Sequence, residues 1–90
     1  MTSKITSVVN ACGIHARPAS LFVQRASGFE SRVMVENLSK GGDPSDAKSI
    51  LSVMGLGMTC GTEIRVSAEG PDEVEAVEAL VAFVEGGCGE

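Results

Sequence analysis

The last third of the chain carries the pattern that most restricts its fold. Residues 70–73 read Gly-Pro-Asp-Glu, and proline and acidic residues are both favoured in the first turn of a helix. Apolar residues follow at helical spacing and form one predicted stripe, made of Val74, Val77, Leu80, Val81 and Val84. Two glycines at 86 and 87 would end this helix. A helix with one apolar stripe has to bury it, so the rest of the chain must supply another layer.

Runs of β-branched residues predict that this other layer is a sheet. The predicted strands lie at about 4–9, 32–36, 45–47 and 62–69, and two further helices at about 17–27 and 49–56. In the last strand, Ile64, Val66 and Ala68 alternate and should point inward. The resulting order βαββαβα, with a hairpin between the second and third strands, predicts an α+β fold. Three helices would cover one face of a four-stranded antiparallel sheet.

Length and composition limit the class of protein. The 90 residues suit one domain, so we expect residues 1–90 to form a single unit in which 86–90 are a flexible tail. A hydrophobic content of 43% is too high for a disordered chain. The longest apolar runs are much shorter than the roughly 20 residues that span a bilayer.

Net charge and cysteine content limit the cellular compartment and the classes of binding partner that we expect. The three cysteines are widely spaced and odd in number, which fits a reducing compartment. Together with the polar start of the chain, which lacks the pattern of a signal peptide, this predicts a cytoplasmic protein that does not insert into a membrane. A net charge of −5 argues against binding to nucleic acid. Arg17 and Lys48 could nevertheless form a small positive spot.

The single histidine lies in the segment that indicates a function. His15 precedes Arg17 by two residues and Pro18 by three. A neutral imidazole is nucleophilic near pH 7, and a phosphorylated ring nitrogen can pass its phosphoryl group on. Free backbone N–H groups at a helix start, here Ala16 and Arg17, favour such an anion, and the Arg17 guanidinium adds a permanent positive charge. The segment therefore predicts a site that accepts and releases phosphate.

Other interpretations of this segment stay open. His15 could be a solvated loop residue without a role. Cys12 and His15 have the Cys-x-x-His spacing of a zinc site, but such a site would need Cys60 and Cys88 to converge on it, and neither has a paired cysteine nearby. A hydrolytic Cys–His pair would lack a third, orienting group. We therefore expect no metal.

The same residues resemble a known family. Residues 13–20, Gly-Ile-His-Ala-Arg-Pro-Ala-Ser, are similar to the active-site motif of HPr, the histidine-containing phosphocarrier of the bacterial phosphoenolpyruvate:sugar phosphotransferase system. Residues 47–57 resemble the second-helix region of that family, and residues 61–70 resemble its last strand and turn. The resemblance covers nearly the whole chain, in the order typical of the family.

The resemblance implies an open-faced β-sandwich and a role in a phosphotransferase relay. His15 would accept a phosphoryl group on Nδ1 from phosphorylated enzyme I, which draws it from phosphoenolpyruvate, and would pass it to a histidine of an EIIA domain. Arg17 would steady the phosphate. Such a chain is a component of a relay rather than a free-standing enzyme. It would need no cofactor and would act as a monomer.

The resemblance also assigns a regulatory serine. Ser49 matches the serine that HPr kinase/phosphorylase modifies in many bacteria, as part of carbon catabolite regulation. A phosphate is tolerated at a helix N-terminus, yet it adds negative charge to a surface that binds partners. Ser49 could equally be a helix cap and nothing more.

The second predicted helix indicates a docking surface. It contains more apolar residues than one short helix can bury, so we expect Ile50, Leu51 and Met54 to be partly exposed and to contact partners. The alternative is that all of them belong to the core. The resemblance extends this surface to Ser20 and Lys48, with enzyme I and EIIA as the partners.

The chain departs from the family pattern in two places and also resembles a related branch. The loop 37–46 is a few residues longer than usual. Ser49 is followed by Ile-Leu-Ser, where many sugar-system members have other residues after the first apolar one. The acidic last helix with its Gly-Pro start is similar to that of NPr, the nitrogen-branch relative. A nitrogen-branch carrier, or a mainly regulatory relative that binds partners according to its phosphorylation, therefore stays open as an alternative.

Overall fold

The computed structural model describes residues 1–9, 16–41 and 43–87. Its elements are β1 (Thr2–Ser7), α1 (Ala16–Ser27), β2 (Arg32–Asn37), β3 (Ser45–Asp46), α2 (Ile50–Gly55), β4 (Glu63–Glu69) and α3 (Glu73–Glu85). The order βαββαβα is the predicted one, and the six elements with predicted ranges each lie within two residues of them. Helix α3 begins at Glu73 with Asp72 as its N-cap, so Pro71 precedes the helix and does not lie in its first turn.

The four strands form one antiparallel sheet in the order β1-β4-β2-β3. The central strand β4 pairs with β1 on one side and with β2 on the other. Alternate residues of β4, namely Ile64, Val66 and Ala68, are buried, as their spacing predicts. On β2, Val33 and Val35 pair with Ala68 and Val66 and are also buried, so both strands present the same face to the helices.

Helix α3 covers this face with a stripe that differs from the predicted one by one member. Val77, Leu80, Val81 and Val84 are buried as predicted, and Ala76 joins them; Val74 is 51% exposed, so its assignment to the stripe is wrong. Glu73 lies one turn before Val77 on the side of α3 that faces the sheet. Its carboxylate accepts a hydrogen bond of 2.6 Å from the hydroxyl of Thr2 in β1. Because Glu73 faces β1, Val74 is turned to solvent.

Helix α3 ends at Gly86 and Gly87, as the sequence predicts. The Gly86 N–H donates to the Ala82 carbonyl at 2.9 Å, and the Gly87 N–H donates to the Val84 carbonyl at 3.1 Å. Gly87 has a φ of 89°, a conformation that glycine adopts readily. Gly86 and Gly87, which the prediction placed in the flexible tail 86–90, are instead hydrogen-bonded to the end of α3. Residues 88–90 lie outside the described residues, so for them the flexible tail stays a prediction. No helix in the described part of the chain combines the length and the apolar character needed to cross a membrane.

Asp72 joins the start of α3 to the turn before β2. Its carboxylate accepts hydrogen bonds of 2.9 Å from the backbone N–H groups of Glu30 and Ser31, and a further one from the Ser31 hydroxyl. The Asp72 N–H donates in turn to Ser31 Oγ at 3.2 Å. The Ser31 hydroxyl, followed by the Glu30 N–H, lowers the pKa of Asp72 because both donors favour the carboxylate.

This network predicts how stability depends on pH. A carboxyl whose pKa is lowered by folding stabilises the fold above its unfolded pKa of about 3.9, and this stabilisation is lost as the pH falls through the lower folded pKa. Thermal unfolding between pH 7 and 2 should therefore show a midpoint that falls in acid. Asp72→Asn should lower the neutral-pH midpoint by several degrees and weaken its acid dependence. Asp43→Asn, at an exposed loop position, is the control and should reproduce the wild-type profile.

Candidate functional site

The structure describes the surroundings of the predicted phosphate site rather than the whole of it. His15 and Cys12 lie outside the described residues, so the role of His15 stays a prediction. Before them, the chain is fixed at Val8, whose N–H donates to the Thr62 carbonyl at 2.9 Å and whose carbonyl accepts from the Gly61 N–H at 2.8 Å. Past His15, the described chain resumes at Ala16, the first residue of α1.

The first turn of α1 has the features of an anion-binding end. The first N–H groups of any helix have no partner within the helix, and no acidic residue lies in this first turn. Arg17 is exposed there, whereas Pro18 and Ala19 are buried and fix the helix against the core. The first turn of α1 thus combines helix N–H donors, the positive end of the helix dipole and a guanidinium, an arrangement that suits a phosphoryl group.

Lys48 does not share a positive spot with Arg17. Its ammonium group donates a hydrogen bond of 2.7 Å to the carbonyl of Phe29, just after α1 ends. Arg17 lies in the first turn, about 15 Å away along the helix axis at 1.5 Å per residue. The prediction of one spot is therefore wrong, because the Phe29 carbonyl, in the turn after α1, binds the ammonium group.

Ser49 is the N-cap of α2, as one interpretation of the sequence requires. Its backbone is extended, with φ −110° and ψ 115°, and its Oγ accepts a hydrogen bond from the Ser52 N–H at 3.4 Å. The Ser49 side chain is only partly buried. The preceding turn is fixed by Asp46, whose carbonyl accepts from the Ser49 N–H at 3.1 Å. A capping role and accessibility to a kinase are both compatible with this geometry.

The apolar residues of α2 divide into a core set and an exposed set. Ile50, Leu51 and Met54 are 36%, 81% and 44% exposed, whereas Val53 is fully buried. The predicted exposure of these three residues is confirmed; their contact with partners stays a prediction. The other predicted docking residue, Ser20, is partly buried on α1, and its hydroxyl accepts from Gln24 Nε2 at 3.4 Å.

Asn37 is a residue whose role the sequence did not predict. Its side chain is 1% exposed, and its Nδ2 donates to the carbonyl of Leu56, at the end of α2, at 2.9 Å. Its Oδ1 accepts from the Lys40 N–H at 3.1 Å. Asparagine at the start of a turn often bonds to nearby backbone groups, and that preference was the available signal. The partner at Leu56 could not be inferred from it.

The described residues do not supply the ligands that the zinc interpretation needs. Cys60 is exposed, and its Sγ lies 3.9 Å from the carbonyl oxygen of Val9. Cys12, His15 and Cys88 lie outside the described residues. Within residues 1–9, 16–41 and 43–87, no group of three histidine, cysteine or acidic side chains is placed to hold a metal ion.

Comparison with known proteins identifies the family. The family model for the PTS HPr component phosphorylation site matches residues 2–86. The chain is 45% identical over 80 residues to the phosphocarrier protein HPr of Treponema pallidum (strain Nichols), which covers 89% of this chain and 88% of that protein. It is also 45% identical over 85 residues to the HPr-like protein Crh of Halalkalibacterium halodurans, covering 94% of this chain and 98% of that protein.

Solved structures agree with this result. The crystal structure of HPr-C-His from Thermoanaerobacter tengcongensis superposes with a TM-score of 0.91 at 46% identity, covering 100% of this chain and 98% of that one. An HPr dimer from the same organism gives a TM-score of 0.76 at 46% identity, with full coverage of both chains. The predicted fold and the predicted resemblance are both confirmed. The chain therefore belongs to the HPr family, the phosphocarriers of the phosphotransferase system, among whose members are the HPr-like Crh proteins.

Proposed function

We propose that this chain carries phosphoryl groups from enzyme I to EIIA domains in the cytoplasm, with His15 as the carrier residue. The observation that carries the proposal is the match of the HPr phosphorylation-site model to residues 2–86, a range that contains His15. The exposed Arg17 and the acid-free first turn of α1 support it. In this role the chain is one component of a phosphotransferase relay and not a free-standing enzyme.

The transfer is an exchange of one phosphorus bond for another. The bond between phosphorus and enzyme I breaks as a bond between phosphorus and His15 Nδ1 forms. In the onward step that P–N bond breaks as a new one forms to an EIIA histidine. The phosphoryl oxygens keep their negative charge throughout, so donors that are already in place lower the barrier. The backbone N–H groups of Ala16 and Arg17 and the Arg17 guanidinium are those donors.

The docking surface in this proposal comprises Ser20, Lys48, Ile50, Leu51 and Met54. Helices α1 and α2 pack against each other, so the apolar residues of α2 and the polar residues of α1 belong to neighbouring parts of one surface. Leu51, at 81% exposure, is the most accessible of the apolar members. Exposed apolar residues grouped in this way are typical of a surface that binds proteins.

The proposal is tested by phosphorylation in a defined mixture. The purified chain is incubated with phosphoenolpyruvate and a bacterial enzyme I, and bound phosphate is measured by intact mass before and after mild acid treatment. One phosphate per chain, lost in acid, is the expected result. A mixture without enzyme I is the control. No added phosphate, or phosphate that survives acid, would contradict the proposal.

A second candidate function is regulation through Ser49. The partial exposure of Ser49 at the N-cap of α2 supports it, because a phosphate there would lie close to the exposed Ile50 and Leu51. The similarity to Crh, an HPr-like protein, leaves room for a member of the family that acts mainly as a binding module. New negative charge on a docking surface changes which partners bind it.

Ser49→Ala separates this function from the first. Incubation of the wild type with ATP and an HPr kinase/phosphorylase should add one acid-stable phosphate, and the Ser49→Ala variant should add none. Protein that is phosphorylated on Ser49 should accept phosphate from enzyme I about tenfold more slowly than unmodified protein, because negative charge on the docking surface opposes binding of enzyme I. Ser52→Ala, another partly exposed serine of α2, is the matched control. Equal labelling of both variants would place the modification elsewhere.

Two further measurements identify the phosphate acceptor and the working oligomer. Phosphorylated protein is offered to sugar-type and nitrogen-type EIIA domains, and the faster acceptor identifies the branch. We propose a monomer as the working form, although a similar HPr has been solved as a dimer. Light scattering on the phosphorylated and unphosphorylated protein measures the oligomeric state.

A further inference from the structure

Helix α2 has few means of holding its own position. It has six residues, Ile50–Gly55, and only Val53 among them is fully buried. Isolated helices shorter than about 12 residues are not stable in water, so a helix this short depends on contacts with its surroundings. Ile50, Leu51 and Met54 are each at least one third exposed and bury less of their surface than Val53 does. The attachment of the two ends of α2 therefore adds to its packing against α1.

The N-terminal end is attached through Lys48. The Lys48 ammonium group donates to the Phe29 carbonyl at 2.7 Å, two residues after the last residue of α1. The turn that presents Lys48 is itself fixed, because the Lys48 N–H donates to the Asp46 carboxylate at 2.9 Å. The neighbouring Ala47 is fully buried, and its N–H donates to the Val33 carbonyl of β2 at 3.0 Å.

The C-terminal end is attached through Asn37. The bond from Asn37 Nδ2 to the Leu56 carbonyl, 2.9 Å long, joins the end of α2 to the end of β2. Asn37 thus bonds to a backbone group at the C-terminal end of α2, whereas Lys48, two residues before α2, bonds to a backbone group in the turn after α1. Of the two, Asn37 is buried and Lys48 is only partly buried, so Lys48 can be changed with less disturbance of the core.

We propose that Lys48 is a positioning residue for partner docking. Its bond to the Phe29 carbonyl fixes α2 against α1, and so places Leu51 and Met54 relative to the helix start that carries Arg17. The charge of Lys48 is directed at α1 and not at the partner. This inference rests on the proposed phosphoryl-transfer function, and it replaces a direct contact by Lys48 with an indirect role.

Nuclear magnetic resonance of the free protein tests the anchoring itself. The Phe29 carbonyl and the Glu30 N–H belong to one peptide group, so the Glu30 amide resonance reports on the Lys48 bond. Lys48→Met keeps most of the length of the side chain and removes the donor. It should shift the amides of Glu30 and of α2, and Lys48→Arg should restore them. Leu51→Ser, at the most exposed position of α2, should leave Glu30 unchanged. An unshifted Glu30 amide in Lys48→Met overturns the proposal.

Steady-state transfer from enzyme I tests the consequence for docking. Lys48→Met should raise KM about fivefold, the factor that corresponds to one typical hydrogen bond, and leave kcat unchanged, because uniform binding is lost. The KM ratio should persist from about 0.05 to 0.5 M salt, whereas a direct charge contact with the partner would be screened. A ratio that vanishes at high salt overturns the inference. If the wild type accepts no phosphate, the proposed function fails, and the Glu30 amide still decides whether Lys48 positions α2.

Discussion

His15→Ala is expected to abolish acid-labile phosphorylation by enzyme I, and Arg17→Met is expected to slow it about a hundredfold without abolishing it. The two residues differ in what they contribute. The imidazole nitrogen forms the bond to phosphorus, and alanine has no atom that can replace it. The Arg17 guanidinium only stabilises charge, and removal of one such donor typically costs a factor of about 10² to 10³ in rate.

The structure supports this graded outcome for Arg17. The helix start keeps backbone donors when the guanidinium is removed, because Pro18 and Ala19 are buried and hold the first turn in place. Arg17 itself is exposed, so methionine at this position should not disturb the core. Arg17→Lys should recover part of the rate, because an ammonium group keeps the charge and loses the fork-shaped pair of donors.

The measurement is a quenched-flow time course of phosphate uptake, with intact mass as the stoichiometric check. Circular dichroism of each variant controls for folding. Arg25→Met is the matched arginine control. Its guanidinium lies 4.5 Å from the centre of the Phe83 ring, at the other end of α1, so the rate should stay at the wild-type value. Acid-labile phosphate on His15→Ala would contradict the carrier assignment, and an unchanged rate for Arg17→Met would remove Arg17 from the site.

Periodicity made the layers of this fold predictable. Alternation in β4 and the stripe on α3 each identify one buried face, and a helix layer on a sheet follows from burying those faces together. The end of the α3 stripe was less predictable, because Glu73 takes the inward position through a bond to Thr2, which lies 71 residues earlier in the chain. The spacing of apolar residues does not indicate a polar side-chain contact such as the one between Thr2 and Glu73.

The candidate site was predictable in its residue types and not in its polar contacts. His15, Arg17 and Pro18 indicate phosphate chemistry because their side chains and the helix start act locally. The hydrogen bond of Lys48 was not predicted, since its acceptor is a backbone carbonyl at Phe29 that any residue type would supply. Asn37 was missed for the same reason. Side-chain bonds to distant backbone groups leave no pattern in one sequence.

Gly70→Ala is expected to destabilise the fold by about 3 kcal/mol, since the replacement meets both backbone strain and a fixed neighbour. Gly70 has a φ of 150°, in a region that residues with a side chain rarely adopt. A Cβ at this position would lie 2.8 Å from the Cα of Ser31 and 3.0 Å from its Cβ. Ser31 cannot move away easily, because Asp72 accepts hydrogen bonds from both its N–H and its hydroxyl group.

Gly55→Ala is the matched glycine control and should change stability in the opposite direction. Gly55 lies in α2 with a negative φ, and a Cβ there would have no neighbour within 4 Å. Alanine in such a helical position stabilises by about 0.5 to 1 kcal/mol. Thermal unfolding should therefore give a midpoint lower by roughly 10 to 20 °C for Gly70→Ala and slightly higher for Gly55→Ala. Equal midpoints for Gly70→Ala and the wild type would contradict this prediction, because they would show that Ser31 can move away from the added Cβ. At low temperature, folded Gly70→Ala should still accept one phosphate, because Gly70, Ser31 and Asp72 are not among the residues proposed to bind the phosphoryl group.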